Sequence, residues 1–365
     1  MQKPRIKGIH KPVRLTPTLI NIGGRQLGIG AEIDDEDGDR WQLLGLMDGT
    51  RTRDEIVTAL LADRPQLPAG EVADTIQSLI DAGYVEDAAA PIPGNLSPEE
   101  IDRYDRATTY YSWVDLTPRP SRYDVQSRLK AGSVVVLGLG GTGSAVASSL
   151  VAAGVGTVHC VDFDTVEAGN LTRQLLYTED DLGKPKVPVA VERLGKMNSH
   201  ATVTGEEKQV FSTDDVAALM QNRDLLVLCA DQPQKLIRQW TNEAALRTGT
   251  PWMLAQYAGP MAVVGLFVPG TTCCQACLAS MNDVVRERYG QEPESLFPFD
   301  GHAVIAPTAN LTGHLAAMDA VYHLAGIPTS TSGRMFHLSL TDLTYHYVVT
   351  PRTGEKCETC GWVGR

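Results

Sequence analysis

Hydrophobic positions change their period along this chain, and the changes mark its elements. Over residues 19–35, LINIGGRQLGIGAEIDD carries short apolar runs broken by glycine pairs, the pattern of a hairpin. RWQLLGLMDGT then predicts a short helix ending at Asp48-Gly49. Thr52, with Glu55 three residues later, forms a capping box that opens a second helix. Its apolar residues Ile56, Val57, Leu60 and Leu61 recur at helical spacing. Pro68 begins a third helix with Val72, Ile76, Leu79 and Ile80 on one face. That helix stops at Gly83, and Tyr84-Val85 can return as a strand. Together these predict a winged-helix-like α+β module over residues 1–88. DAAAPIPGNLSPEE, residues 87–100, is rich in Ala and Pro, and a linker is expected over 89–105.

Beyond it, strand and helix patterns alternate. SVVVLGL, TVHCVDFD, ATVTGEEKQV, DLLVLCA, WMLAQYAG and MAVVGLFVPG read as strands. GSAVASSLVAAGV, KVPVAVERLGKM, DVAALMQ and QPQKLIRQWTNEAALRTG read as helices between them. This order predicts an α/β fold over residues 106–365: a doubly wound, Rossmann-like, mostly parallel sheet with ligands at the strand C-terminal ends.

Composition narrows the uses of such a chain. Its 365 residues suit two domains, and 43% hydrophobic with 21% charged residues is ordinary for a folded protein. No apolar run is long enough to cross a bilayer, and MQKPRIKGIHKPVR lacks the apolar core of a signal peptide, so a cytoplasmic enzyme with no membrane partner is expected. A formal net charge of −12 argues against a nucleic-acid partner while leaving room for a local cationic pocket. EIDDEDGD within the first module, whose helices are poor in Lys and Arg, counts against DNA as its ligand.

The first candidate site is Gly138-Leu139-Gly140-Gly141-Thr142-Gly143, between a strand and a helix of small residues. Gly138 allows the tight turn, Gly140 lets a phosphate approach the backbone, and Gly143 lets helix and strand pack closely. Asp162 ends the next strand, where an acid takes ribose hydroxyls. So far NAD or FAD fits as well as any nucleotide. Arg173, Lys186 and Asp231 change the balance. A triphosphate attacked at its α-phosphorus needs several positive groups and a carboxylate for Mg²⁺.

Two resemblances carry the reading further. LLGLMDGTRTRDEIVTALL followed by VADTIQSLIDAGYVED resembles the PqqD-type peptide-binding domain of ribosomal-peptide modifying enzymes. That resemblance implies a leader peptide taken as an added strand at the hairpin edge. From about residue 98 to 365 the chain resembles the ubiquitin-activating-enzyme-like adenylyltransferases, among them ThiF, MoeB, HesA and MccB. The motifs are RYDR, GLGGTG, DFDTVEAGNLTRQ, GKPK, a strand-end CAD, CxxCL and a final CxxCG, in that order. The resemblance assigns Gly138, Gly140, Gly141, Gly143, Asp162, Asp164, Asn170 and Gln174 to ATP. Arg173 and Lys186 would act on the phosphates and Asp231 on Mg²⁺. Arg106 would enter the partner's site in a homodimer. Gly169, Gln232 and Ala107 depart from the residues usual in that family, and none of them removes a charged group.

Five of the seven cysteines lie after residue 270, which suits a metal site better than a disulfide framework. Cys274 with Cys277, and Cys357 with Cys360, are two CxxC knuckles that can complete a four-thiolate Zn²⁺ shell. A redox pair is the alternative, disfavoured by the second copy. Cys273 lies off the spacing, and Cys160 and Cys229 read as packed core thiols. Relatives that form a thioester or persulfide carry a further cysteine between the knuckles, and this chain has none there.

The expected activity is ATP-dependent adenylation of a carboxylate of a ribosomally made precursor peptide, with Mg²⁺ and a structural Zn²⁺. Two alternatives stay open: adenylation of the C-terminal glycine of a ubiquitin-like sulfur carrier, and a non-catalytic subunit that docks a leader peptide.

Overall fold

The computed structural model describes residues 1–24, 28–233, 236–278, 290, 303–351 and 356–363. The chain divides into two compact units, Met1–Arg128 and Leu129–Arg365.

The first unit opens with β1 (Pro4–Ile6), followed by β2 (Val13–Thr16), β3 (Leu19–Ile22) and β4 (Ala31–Asp34). The last three form an antiparallel sheet in the order β2-β3-β4. The predicted hairpin is β3–β4, and β2 adds a third strand that the sequence pattern did not announce. Helices α1 (Asp39–Leu46), α2 (Arg53–Asp63) and α3 (Ala69–Asp81) follow. β5 (Val85–Asp87) then pairs antiparallel with β1. Both halves of the capping box form: Thr52 Oγ1 accepts from Glu55 N at 3.3 Å, and Glu55 Oε2 accepts from Thr52 N at 2.7 Å. Ile56 and Leu60 of α2 and Val72, Ile76, Leu79 and Ile80 of α3 are buried with Ile20 and Ile22 of β3. Gly83 ends α3 at φ +79°, and a Cβ there would lie 1.8 Å from Leu116 O, so the turn is closed to any side chain.

Residues 89–105 contain α4 (Pro98–Arg103), started by a second capping box between Ser97 and Glu100. α5 (Asp105–Val114) and α6 (Asp124–Ala131) come next.

The second unit is built on β6 (Ser133–Leu137), α7 (Gly141–Ala152), β7 (Thr157–Asp162), α8 (Lys186–Met197), β8 (Thr202–Glu207), α9 (Thr213–Met220), β9 (Leu225–Leu228), α10 (Leu236–Thr248), β10 (Trp252–Ala258) and β11 (Met261–Phe267). α11 (Ala306–Ala325), β12 (Arg334–Ser339) and β13 (His346–Val349) complete it. Among the described residues its sheet has 8 strands, in the order β13-β12-β11-β10-β9-β6-β7-β8. Strands β10, β9, β6, β7 and β8 are parallel, as expected for a doubly wound fold. β11, β12 and β13 extend it as an antiparallel meander. β6, buried on both faces, reads as a continuous apolar run because helices cover both sides of a parallel sheet.

The strand order reverses at β6, and the C-terminal ends of β6 and β9 open the crevice where such folds bind ligands. α11 closes on α7 through small residues. A Cβ at Gly313 would lie 2.5 Å from Thr142 O and 2.7 Å from Ala145 Cβ. The helices approach that closely only because position 313 has no side chain.

Candidate active site

The glycine loop joins β6 to α7. Gly138 has φ +96°, and a Cβ there would meet Ala230 N at 2.6 Å. At Gly143 a Cβ would fall 1.8 Å from Gly138 O, which is the helix–strand contact read from the sequence. Gly140 differs: a Cβ there would find only the Gln174 amide, at 3.8 Å. Gly140 is also the N-cap of α7 and offers no side-chain cap, so the first N–H groups of the helix remain available to an anion.

A cavity of about 420 Å³ opens above this loop. Gly138, Gly140, Gly141, Asp162, Asp164, Asn170, Arg173, Gln174, Lys186 and Asp231 all line it. Gly143 lies beneath it as a packing residue. Arg106 belongs to the first unit, where it is exposed on α5.

Each wall residue is held by its own element. Asp162 ends β7 and is buried; its Oδ2 accepts from Leu139 N at 2.5 Å and its Oδ1 from Asp164 N at 2.8 Å. It therefore shapes the loop directly, in addition to any contact with a ribose. Lys186, at the start of α8, has a side chain only 4% exposed and pairs with Asp164 Oδ2 at 2.9 Å. Asn170 Oδ1 accepts from Glu167 N at 3.2 Å, fixing the turn that carries Arg173. Arg173 Nη1 donates to Gly169 O at 3.1 Å. Arg173 O accepts from Asn310 Nδ2 of α11 at 2.9 Å.

Further wall residues escaped the sequence reading. Lys208 and Arg238 add two cations, and Thr142, Cys229, Gln256 and Tyr257 also line the cavity. Arg238 donates to Gln256 Oε1, and Gln256 Nε2 donates to Ala230 O at 3.0 Å, beside Asp231. Burial lowers the pKa of Arg238 and raises that of Tyr257. Cys160 is a core thiol as expected, whereas Cys229 sits on the cavity wall because β9 ends there. Thr142 stands in the glycine loop and Cys229 in the strand-end CAD, whereas Lys208, Arg238, Gln256 and Tyr257 lie outside the motifs; for these four, only the position of Arg238 one turn into a helix after a strand-end acid is available as a signal.

The wall thus holds the cations Arg173, Lys186, Lys208 and Arg238 and the acids Asp162, Asp164 and Asp231, with Lys208 also paired to Glu206 and Asp215 at 3.7 and 3.8 Å. Gln174 Oε1 and Thr142 Oγ1 are buried there with no hydrogen-bond partner among the described residues. Buried polar atoms are nearly always paired, so both fit a polar ligand in the cavity. A polyphosphate nucleotide meets this set: helix N–H groups, four cations and two waiting polar atoms. The Asp231 carboxylate is an oxygen donor of the kind a hard cation such as Mg²⁺ takes.

A second cluster lies after β11. The Sγ atoms of Cys274, Cys277, Cys357 and Cys360 all lie within 4.8 Å of one another. Three of the separations are 3.8, 3.9 and 3.5 Å. Four sulfurs around one tetrahedral Zn²⁺, at about 2.3 Å each, would stand about 3.8 Å apart, so the set fits that ion. Both knuckles are tied down: Gln275 N donates to Asn242 Oδ1 at 3.0 Å, and Gly361 N to Cys357 O at 2.8 Å. Cys273 stands outside the cluster and donates to Gly333 O at 3.0 Å.

Comparison with known proteins agrees with this geometry. The ThiF family matches residues 115–360. The molybdopterin-synthase adenylyltransferase of Escherichia coli is 28% identical over 267 residues, covering 73% of this chain and 98% of that protein. A sulfur carrier protein adenylyltransferase of Thermus thermophilus is 31% identical over 274 residues, covering 72% and 92%. Among solved structures, Escherichia coli MccB superposes with a TM-score of 0.79 at 25% identity, covering 100% of this chain and 98% of that one. With the family match spanning most of the sequence and these relatives aligned over nearly their whole lengths, this chain belongs to the ThiF family and is an ATP-dependent adenylyltransferase.

Proposed function

We propose that this enzyme adenylates a carboxylate of a ribosomally made precursor peptide in natural-product biosynthesis. In this reading residues 1–88 form a PqqD-like domain that grips the leader, residues 89–105 a linker, and residues 106–365 the adenylation domain. One observation carries the choice. The family match begins at residue 115, yet the likeness to MccB covers 100% of the chain, and solved MccB structures include complexes with MccA. The Escherichia coli molybdopterin relative, by contrast, is used up over 98% of its length by 73% of this chain. The N-terminal part is thus the portion held in common with a protein solved in complex with MccA.

The chemistry follows from the wall of the cavity. The substrate carboxylate attacks the α-phosphorus of ATP, and pyrophosphate leaves. No general base is needed, because a carboxylate is already ionised at neutral pH. Catalysis is positioning plus charge stabilisation. Arg173 and Lys186 face the phosphates, with Lys208 and Arg238 as added positive charge. Asp164 orients the Lys186 ammonium. Asp162 holds the loop and meets the ribose, while Asn170 and Gln174 contact the nucleotide. Asp231 would hold Mg²⁺, which when bound screens the polyphosphate charge. In a homodimer Arg106 would reach the partner's nucleotide. Cys274, Cys277, Cys357 and Cys360 would hold a structural Zn²⁺, since four thiolates leave no open position. No cysteine lies between the knuckles, so the product of this reading is a free acyl-adenylate, passed to an amine, an amide or a thiol.

The second reading is adenylation of a sulfur carrier, favoured by the names of relatives 28% and 31% identical. ATP–pyrophosphate exchange separates the two. Exchange that requires a precursor peptide and disappears in Asp231→Ala supports the proposal. Exchange driven instead by a carrier ending in Gly-Gly supports the second reading. A wild-type protein that binds no ATP would reduce the chain to a docking subunit.

A further inference from the structure

β4 is an edge strand: in the order β2-β3-β4 its outer side has no partner strand among the described residues. A cavity of about 270 Å³ lies beside it, walled by Ala31 and Ile33 of β4, Leu43 and Leu44 of α1, and Leu79 of α3. Bare strand edges are normally covered, bent away or guarded by charge. Here the guard is one-sided. Along β4, Ala31 and Ile33 are half-buried while Glu32 and Asp34 are exposed. Glu36 and Asp37 follow, both without strong burial.

The acids nearby fall into two groups. Asp35 is neutralised by Arg14 at 3.0 Å, and Asp39 by Arg64 at 3.2 Å. Glu32, Asp34, Glu36 and Asp37 have no ion pair among the described residues. Arg40, on the cavity wall, spends one Nη1 bond on Asp34 O at 3.0 Å. The rail therefore combines an apolar trough on one face with uncompensated carboxylates on the other.

We propose that the peptide which the resemblance of this module implies as an added strand on β4 is one in which apolar residues alternate with Lys or Arg. The proposal rests on the reading of the N-terminal unit as a peptide-recognition module and adds the chemistry of what it recognises. Side chains of an added strand alternate faces with a period of two, as those of β4 do. One set falls on the side of Ala31 and Ile33 and enters the cavity; the other stands beside Glu32 and Asp34. Opposite charges across neighbouring strands attract, and like charges there repel. Main-chain pairing supplies general affinity, and the trough and carboxylates supply the selection.

The test uses the full-length protein and fluorescein-labelled KLKVKLKV, its acidic counterpart ELEVELEV, and the block isomer KKKKLLVV, read by fluorescence anisotropy. ATP binding to each variant serves as the folding control. Ala82→Trp fills the trough from its exposed rim without changing charge, and Glu32→Lys with Asp34→Lys reverses the rail. KLKVKLKV should bind wild type at least tenfold more tightly than the other two peptides. Ala82→Trp should weaken it about tenfold, and the double charge reversal should favour ELEVELEV. Equal binding of both alternating peptides, with both lost in Ala82→Trp, overturns the charge rule and leaves peptide recognition standing. Binding unmoved by Ala82→Trp overturns the docking site. If Ala82→Trp also leaves peptide-dependent pyrophosphate exchange unchanged, the recognition reading of this unit fails with it.

Discussion

The buried carboxylate of Asp162 accepts a hydrogen bond from the backbone amide of Leu139 at 2.5 Å, tying the end of β7 to the middle of the glycine loop. The residue proposed to meet the ribose is thus also the anchor of the glycine loop. Asp162→Ala leaves the Leu139 N–H without its acceptor in a buried place, at a cost of about 1–3 kcal/mol. Asp162→Asn keeps one carbonyl acceptor and should lose less. Urea unfolding and ATP titration of both variants check this; equal stability of Asp162→Ala and wild type would refute it.

Gly140 and Gly143 should separate folding from binding. A methyl at position 143 collides with the Gly138 carbonyl, and the neighbour is backbone that cannot swing aside. Gly143→Ala is expected to destabilise by at least the ~1–3 kcal/mol typical of overpacking. At position 140 the methyl meets open space on the cavity wall. Gly140→Ala should melt near wild type while its ATP affinity falls, in calorimetric titration, by tenfold or more.

The sulfur cluster predicts about one zinc per chain. Cys277→Ser should remove the metal, whereas Cys273→Ser should retain it, because Cys273 bonds Gly333 and is not one of the four mutually close sulfurs. Metal analysis by mass spectrometry of the two purified variants, with a chelator-induced fall in melting temperature of wild type, tests the assignment. A folded, metal-free wild type would contradict it.

His10 gives the first unit a pH response. Burial, with Lys7 beside it, holds its pKa below the ordinary value. The unfolded ring, with a pKa of about 6.5, takes up a proton that the folded ring refuses. Its contribution is therefore full above pH ~6.5 and is lost as pH falls from there toward the folded pKa. Urea midpoints at pH 7.5 and 5.5 should differ less in His10→Gln than in wild type. Some slope should remain, since burial also lowers His159, His323 and His337.

Arg173 should be sensitive to α11 as well as to its own turn. Asn310 Nδ2 holds the Arg173 carbonyl at 2.9 Å. Asn310→Ala should raise KM for ATP several-fold while leaving the pH profile of exchange unchanged, as befits a residue that positions another.

Much of the fold was legible because its signals are local. A capping box needs residues three apart, and Thr52 with Glu55 formed one as read. The face of α3 needs only a period of 3.6, and Val72, Ile76, Leu79 and Ile80 are buried together. The glycine loop and the two CxxC knuckles are equally short-range. LSPEE carries Ser97 and Glu100 at the same spacing as Thr52 and Glu55 but stands among Ala and Pro, so its composition points to a linker where the structure has α4. α11 is hard to read from the sequence because its buried face is mostly Ala, Gly and Thr, which has little hydrophobic contrast; its close approach to α7 depends on the missing side chain at Gly313.

The sequence by itself determined the strand–helix order from β6 to β11, the loop that turns at Gly138, the acids and bases of the motifs and the pairing of cysteines within each knuckle. Each depends on neighbours within a few positions, where chain geometry leaves little choice. Only the tertiary structure decided that Lys208, Arg238 and Tyr257 join the same cavity, that Asp162 anchors the loop it faces, and that sulfurs 83 residues apart come within 3.5 and 3.9 Å. Those are meetings of distant segments. They are set by which strands lie side by side and by where small residues let helices close, and no local pattern encodes that.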